Sequence, residues 1–312
     1  MKRIARVFPT KTKYTPDDDL VFFSGPTLLT PEVDEVHVSC LFTWDKPRAE
    51  VLARKWGKVC KSVKVGGPAY DTPGGEYTPG LYVRKGYTMT SRGCIRKCPF
   101  CLVPVREGKL RELTIHPGKW VIDNNLLACS RKHVEAVFQM LLKQGGGIKF
   151  LGGLDTHCLE DWHVEALSRM QKQIEFLYIA YDMPRDRDSV EDALRRFHEA
   201  GFEQGQLWCF ALIGFGNEAP EEADKRCEWI FVHGGIPFAT YYKDLHATKR
   251  KDPPEWAAVA KKWAGIRWVM SRMKRDGLQY HKDYVRGYFA DKKPKPLVVY
   301  ESEKQQPRKG FF

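Results

Sequence analysis

Hydrophobic positions along the chain follow two periods that alternate from residue 86 onward. Short apolar runs at 86–91, 119–125, 147–153, 174–182, 206–216 and 236–243 read as six strands. Between them lie stretches with helical spacing. Ser130 is a cap before Val134, Val137, Phe138, Leu141 and Leu142. Further helices are expected over 159–171, over 188–200 with a stop at Gly201, and over 219–233. Strands alternating with helices predict a parallel sheet with crossover helices. Six units are too few for a closed eight-fold barrel and suit an open one, where chemistry sits at the C-terminal strand ends.

The flanks differ. Residues 1–85 read as a small α/β unit. It has a strand in 33–44, a helix over 46–57 with Ala49, Leu52, Ala53 and Trp56 on one face, and a strand in 58–71. The turn-rich segment 71–80 reads as a linker. After 245 one long helix is expected over 253–277, its stripe of Trp256, Ala260, Trp263, Ile266, Val269 and Met270 facing the core. A Pro/Lys-rich tail follows. The expected fold is therefore α/β: a partial (β/α)6 TIM-like barrel (86–245) with a small N-terminal α/β domain (1–85) and a basic C-terminal helix and tail (246–312).

Composition adds a charge argument. The 312 residues carry a formal net charge of +12, and the stretch from Lys243 to the end holds 18 Lys/Arg against 8 Asp/Glu. A basic terminal region is an electrostatic footprint for a polyanion, and a merely soluble basic surface is the bland alternative. No apolar run approaches the length of a membrane span, and the N-terminus lacks the apolar region of a secretory signal. A cytoplasmic protein without a membrane partner is expected.

The nine cysteines divide into two groups. Cys40, Cys60, Cys129, Cys158, Cys209 and Cys227 are scattered singly, as buried thiols are. Cys94, Cys98 and Cys101 are packed into "SRGCIRKCPFC" (91–101). Close-set cysteines in a reducing compartment point to metal or catalysis. Structural zinc takes four ligands, and only His116, fifteen residues on, is near. A cubane iron–sulfur cluster can be held by three thiolates, with the fourth iron left open.

This motif, with Phe100 as the aromatic before the last cysteine, strongly resembles the hallmark of the radical S-adenosylmethionine (SAM) enzymes, over roughly residues 86–245. The resemblance implies a 4Fe-4S cluster on Cys94, Cys98 and Cys101. It implies SAM on the open iron, reductive cleavage to methionine and a 5′-deoxyadenosyl radical, and hydrogen abstraction from a substrate. It also implies a flavodoxin- or ferredoxin-type electron donor as partner.

Further positions carry over one by one. Gly152 and Gly153 in "FLGGLD" match the family's Gly-Gly-Glu-like contact to the SAM amino group, but the third position is Leu154 and the acid is Asp155. Asp182 ends the fourth strand, where a polar residue often meets the SAM ribose. "IDNN" (122–125) resembles the Asp-Asp-Asn segment of relatives with a cobalamin-binding domain. Asp123, Asn124 and Asn125 are candidates to orient substrate or the cluster loop, with a structural cap as the equal alternative.

The N-terminal unit is similar to a trimmed cobalamin-binding domain. It lacks the D-x-H-x-x-G cobalt motif, so a degenerate cap without bound cobalamin is expected. Methylthiotransferases, also related, need three N-terminal cysteines where this chain has Cys40 and Cys60, so a single cluster is expected.

For the substrate, the basic and aromatic C-terminal region favours nucleic acid. The whole-chain pattern is also similar to bacterial and phage radical SAM proteins, some associated with rearranging amino-acid-modified thymidine in DNA. Radical chemistry on a peptide or small metabolite is the alternative. A non-enzymatic iron–sulfur protein that binds nucleic acid is the competing class. Arg106, Glu107, Lys109, Arg111 and Glu112, just after the cysteines, are candidates to line the mouth.

Overall fold

The computed structural model describes residues 2–71, 74–244 and 252–263. Its N-terminal unit is a parallel sheet of β1 (Ile4–Val7), β2 (Val21–Phe22), β3 (Glu35–Ser39) and β4 (Val63–Gly66) in the order β2-β1-β3-β4. Helix α1 (Lys46–Trp56) packs on it through Ala49, Leu52 and Trp56, the helical stripe seen in the sequence. Trp56 is fully buried, and its indole N–H donates to Ser24 O at 3.0 Å.

The next strands are β5 (Tyr87–Thr88) and β6 (Ser91–Arg92), then β7 (Arg111–Glu112) and β8 (Trp120–Val121). The short helix α2 (Val103–Arg106) lies between β6 and β7, which pair antiparallel. Helix α3 (Arg131–Leu142) starts at Ser130, whose Oγ accepts from His133 N at 3.3 Å. Then come β9 (Ile148–Leu154), α4 (Asp161–Arg169), β10 (Ile174–Ala180), α5 (Arg187–Glu199), β11 (Leu207–Ile213), α6 (Pro220–Val232), β12 (Ile236–Tyr241) and α7 (Pro254–Trp263).

Strands β5, β8, β9, β10, β11 and β12 form one six-stranded sheet, parallel throughout and in sequential order. Burial alternates along β11: Leu207, Cys209, Ala211 and Ile213 are buried in the core shared with the helices. The opposite face carries an aromatic layer of Phe176, Tyr178, Trp208, Phe210 and Phe238. Tyr178 and Phe210 stack at 4.1 Å between centroids. A second, smaller core joins β1, β3 and α1.

Trp256 and Trp263 of α7 pack against the large core, and Trp263 is completely buried with its indole N–H on Asp224 at 2.7 Å. The first part of the tryptophan stripe is therefore packing. The rest of the expected helix, the tail and residues 245–251 lie outside the described residues. No helix among the described residues is long and apolar enough to cross a membrane.

Candidate functional site

All six strands of the large sheet run in parallel, so their C-terminal ends share one edge. The cysteine loop lies there, after β6. Gly93, with φ +79°, opens the loop, and a Cβ on it would meet Lys109 O at 2.2 Å. The thiols of Cys94, Cys98 and Cys101 are all partly exposed and unpaired by disulfides.

The "IDNN" segment anchors this loop. Asp123, buried at 2% exposure, accepts from Thr90 N (2.7 Å), Thr90 Oγ1 (2.6 Å) and Ser91 Oγ (2.8 Å). Burial pushes its carboxyl above the usual range, and the Thr90 and Ser91 donors oppose the shift. Gly93 N donates to Asn124 Oδ1 at 3.0 Å. Asn125 Nδ2 donates to Asp155 Oδ2 at 2.9 Å and lies 3.4 Å from Cys94 Sγ. These contacts tie the segment to the start of the cysteine loop.

Asp155, the acid that follows the two glycines and Leu154, also takes part in that anchoring. Its Oδ1 accepts from Arg96 Nη1 (3.2 Å) and His157 N (3.1 Å), and its Oδ2 from Asn125 and from Cys158 Sγ (3.6 Å). Arg96, between the first two cysteines, also reaches Asp186 Oδ1 at 3.4 Å, and His157 Nε2 meets the same oxygen at 3.0 Å. Asn125 Oδ1 is buried and has no hydrogen-bond partner. The Asp155 carboxylate can only accept, so the side-chain amide is oriented with its NH2 toward Asp155 and its oxygen buried without a partner.

The two glycines have different reasons. A Cβ on Gly152 would fall 1.8 Å from Asp123 O, so glycine is required there for β9 to pass the "IDNN" backbone. Gly153 has φ +75° with only the Phe210 ring near its missing Cβ, at 3.6 Å. Phe100 meets Phe215 edge-on at 5.5 Å, tying the loop to the segment after β11. Asp182, after β10, accepts from Leu212 N at 2.9 Å, and burial pushes its carboxyl up to about 6. It is close enough to Cys101 to raise that thiol slightly.

Among the described residues, no set of three or more His, Cys, Asp or Glu side chains converges on a point as a single ion requires. A multi-iron cluster binds each thiolate to a separate iron and has no such requirement. Arg96 N lies 3.3 Å from Cys94 Sγ, so with Asn125 two N–H groups face one sulfur, as suits a thiolate. Burial pushes the Cys101 thiol up, and Cys98 and Cys94 add to it. Three thiolates this close need positive charge among them, which a cationic cluster supplies. The donors fit such a group.

A cavity of about 740 Å3 opens beside the loop. One wall follows the C-terminal ends of β1, β3 and β4, including Phe8, Leu41, Phe42 and Gly67. The other includes Leu102, Asn124 and Gly152. The segment expected as a linker forms part of this wall and is tied down. Arg92 Nε donates to Gly75 O (3.0 Å), Arg106 Nε to Asp71 Oδ1 (2.8 Å), and Glu107 accepts from Arg92 Nη1 (2.9 Å) and Gly74 N (3.3 Å). Arg106 and Glu107 thus line the mouth as paired groups. Sequence reasoning missed Arg96 and Asp186, although Arg96 lies inside the motif itself. No protein-family model matches the chain, and no curated protein does.

Proposed function

We propose that this chain is a radical SAM enzyme with a single 4Fe-4S cluster on Cys94, Cys98 and Cys101. The observation that carries the proposal is the C-x3-C-x2-C loop at the C-terminal edge of a sequentially ordered six-stranded parallel sheet. That strand order supports a partial barrel with the N-terminal unit as its cap. When bound, the cluster supplies the electron that splits SAM into methionine and a 5′-deoxyadenosyl radical able to take hydrogen from a substrate.

The chain's own residues have defined tasks in this reading. Asp123, Asn124 and Asn125 fix the loop on the sheet edge, and Arg96 clamps it to Asp155 and Asp186. Gly152, Gly153 and Asp155 are the candidates for the SAM amino group. Asp182 remains the candidate for the ribose.

A nucleic-acid base is the proposed substrate class, supported by the charge of the C-terminal region. An amino-acid-modified thymidine in DNA is one such base. Modification of a peptide or small metabolite is the second reading, supported by the apolar walls of the cavity.

The test is anaerobic. Reconstituted protein is reduced with dithionite in the presence of SAM, with or without short duplex DNA, RNA and modified-thymidine DNA. 5′-Deoxyadenosine release is expected, stimulated by one polymer, and Cys98→Ala should abolish it while leaving the protein folded. Release by the Cys98→Ala variant would overturn the site. A confirmed cubane without any release would overturn the enzyme in favour of a binding or sensing protein.

A further inference from the structure

The cavity wall opposite the cysteine loop carries a second group of titratable side chains. Glu35 and His37 are two apart on β3 and so share one face of the strand. Glu35 Oε2 meets His37 Nε2 at 3.0 Å, and His37 Nδ1 meets Tyr82 Oη at 2.6 Å. The His37 and Tyr82 rings stack at 5.9 Å. His37 and Tyr82 both line the cavity, and Tyr82 is 41% exposed.

The direction of these bonds follows from donor inventory. Lys2 and Lys64 both donate to Glu35, and these contacts with that of His37 hold its carboxyl well below the usual range. An ionised carboxylate only accepts, so His37 Nε2 carries a proton. In the neutral imidazole Nδ1 is then a bare acceptor, and Tyr82 must donate to it. A hydroxyl, an imidazole base and an orienting carboxylate in series are the arrangement that activates weak acids in general base catalysis. The loop bearing Tyr82 is itself positioned, since Arg6, paired with Asp18, donates to Gly80 O at 3.1 Å.

We propose that Tyr82, His37 and Glu35 form a proton relay acting on an uncharged organic group, bearing an ionisable N–H, O–H or activated C–H, held in this cavity. The ligand class follows from the lining. Phe8, Leu41 and Phe42 are apolar, and the lining cations Arg92, Arg106 and Lys64 are each paired with a carboxylate. In the step, the ligand X–H bond breaks and its electron pair stays on X. The proton bonds to Tyr82 Oη as the tyrosine's own proton passes to His37 Nδ1. The imidazolium is held by Glu35, nothing is oxidised or reduced, and the reverse sequence returns the proton.

The test needs neither iron nor SAM, so its failure and the failure of the radical reading are separate outcomes. The full chain is treated with an aryl sulfonyl fluoride between pH 5 and pH 9, and Tyr82 labelling is followed by peptide mass spectrometry. Charged groups near the relay are Glu35, Lys2, Lys64, Arg6, Asp18 and Asp34. Burial pushes the Tyr82 hydroxyl up, and Glu35 adds to this against Arg6, so an unassisted Tyr82 should react more slowly than free tyrosine. The relay predicts the opposite. Tyr82 should label ~10-fold or more faster than in His37→Gln. Labelling no faster than in a folded His37→Gln would overturn the proposal. If His37→Gln does not fold, free tyrosine is the reference, and wild-type Tyr82 labelling no faster than it would overturn the proposal.

Discussion

Asp182 accepts the Leu212 N–H just after β10 from a half-buried position. Burial is the largest influence on its carboxyl, outweighing the Leu212 N–H and Arg226, and lifts it from an ordinary 3.8 to about 6. The folded state then holds a proton that the unfolded chain has lost between these values. Stability contributed by this residue is full below pH 4 and is lost as pH rises through 6. A shift of this size corresponds to about 3 kcal/mol. Asp182→Asn keeps an acceptor for Leu212 without the charge. It should be more stable than wild type at pH 7 by up to that amount, and the difference should close by pH 4. Parallel urea titrations of the two proteins at both pH values check this. Equal stability at pH 7 would mean that the carboxyl is better solvated than its surroundings imply.

Helix α4 shows the same logic with opposite sign. Glu160 N donates to His163 Nδ1 at 3.0 Å, so a neutral imidazole caps the helix start. His163 is 1% exposed, and burial lowers its pKa to about 4. A depressed histidine contributes stability above 6.5 that is lost as pH falls toward 4. Glutamine at this third helical position also offers a capping acceptor and cannot be protonated. His163→Gln should match wild type at pH 7 and exceed its melting temperature by several degrees at pH 5. Most elements were legible in the sequence for reasons visible here. The strands β10 to β12 are buried on the helix side and carry aromatics on the other, so they read as apolar runs. Strand β1 was missed because four residues, one of them Arg6, are too short for periodicity to show. The cysteine motif was legible because its spacing is local. The Arg96–Asp186 clamp was not, because only the order of β9 and β10 brings residues ninety apart together.

At the scale of the molecule, two parallel sheets contribute strand ends to the walls of one cavity, and the segment between them is a tether held by charges. Glu107 is the hub of that tether. It accepts from Arg92 and from Gly74 N, while Arg111 lies 3.5 Å from its second oxygen. Arg92 and Glu107 side chains are each only 16% exposed, so removing one partner leaves a poorly solvated charge. The two hydrophobic cores share no residue of this network. Glu107→Ala should therefore cost about 2 kcal/mol while leaving both cores folded. Its signature should be regional. Amide exchange is expected to accelerate in residues 74–76 and in the cysteine loop, with α1 and α5 unchanged. Uniform acceleration would mean that the tether is part of one cooperative unit with the cores. The regional result would place the cavity, and with it access to both the cysteine loop and Tyr82, under the control of a single carboxylate.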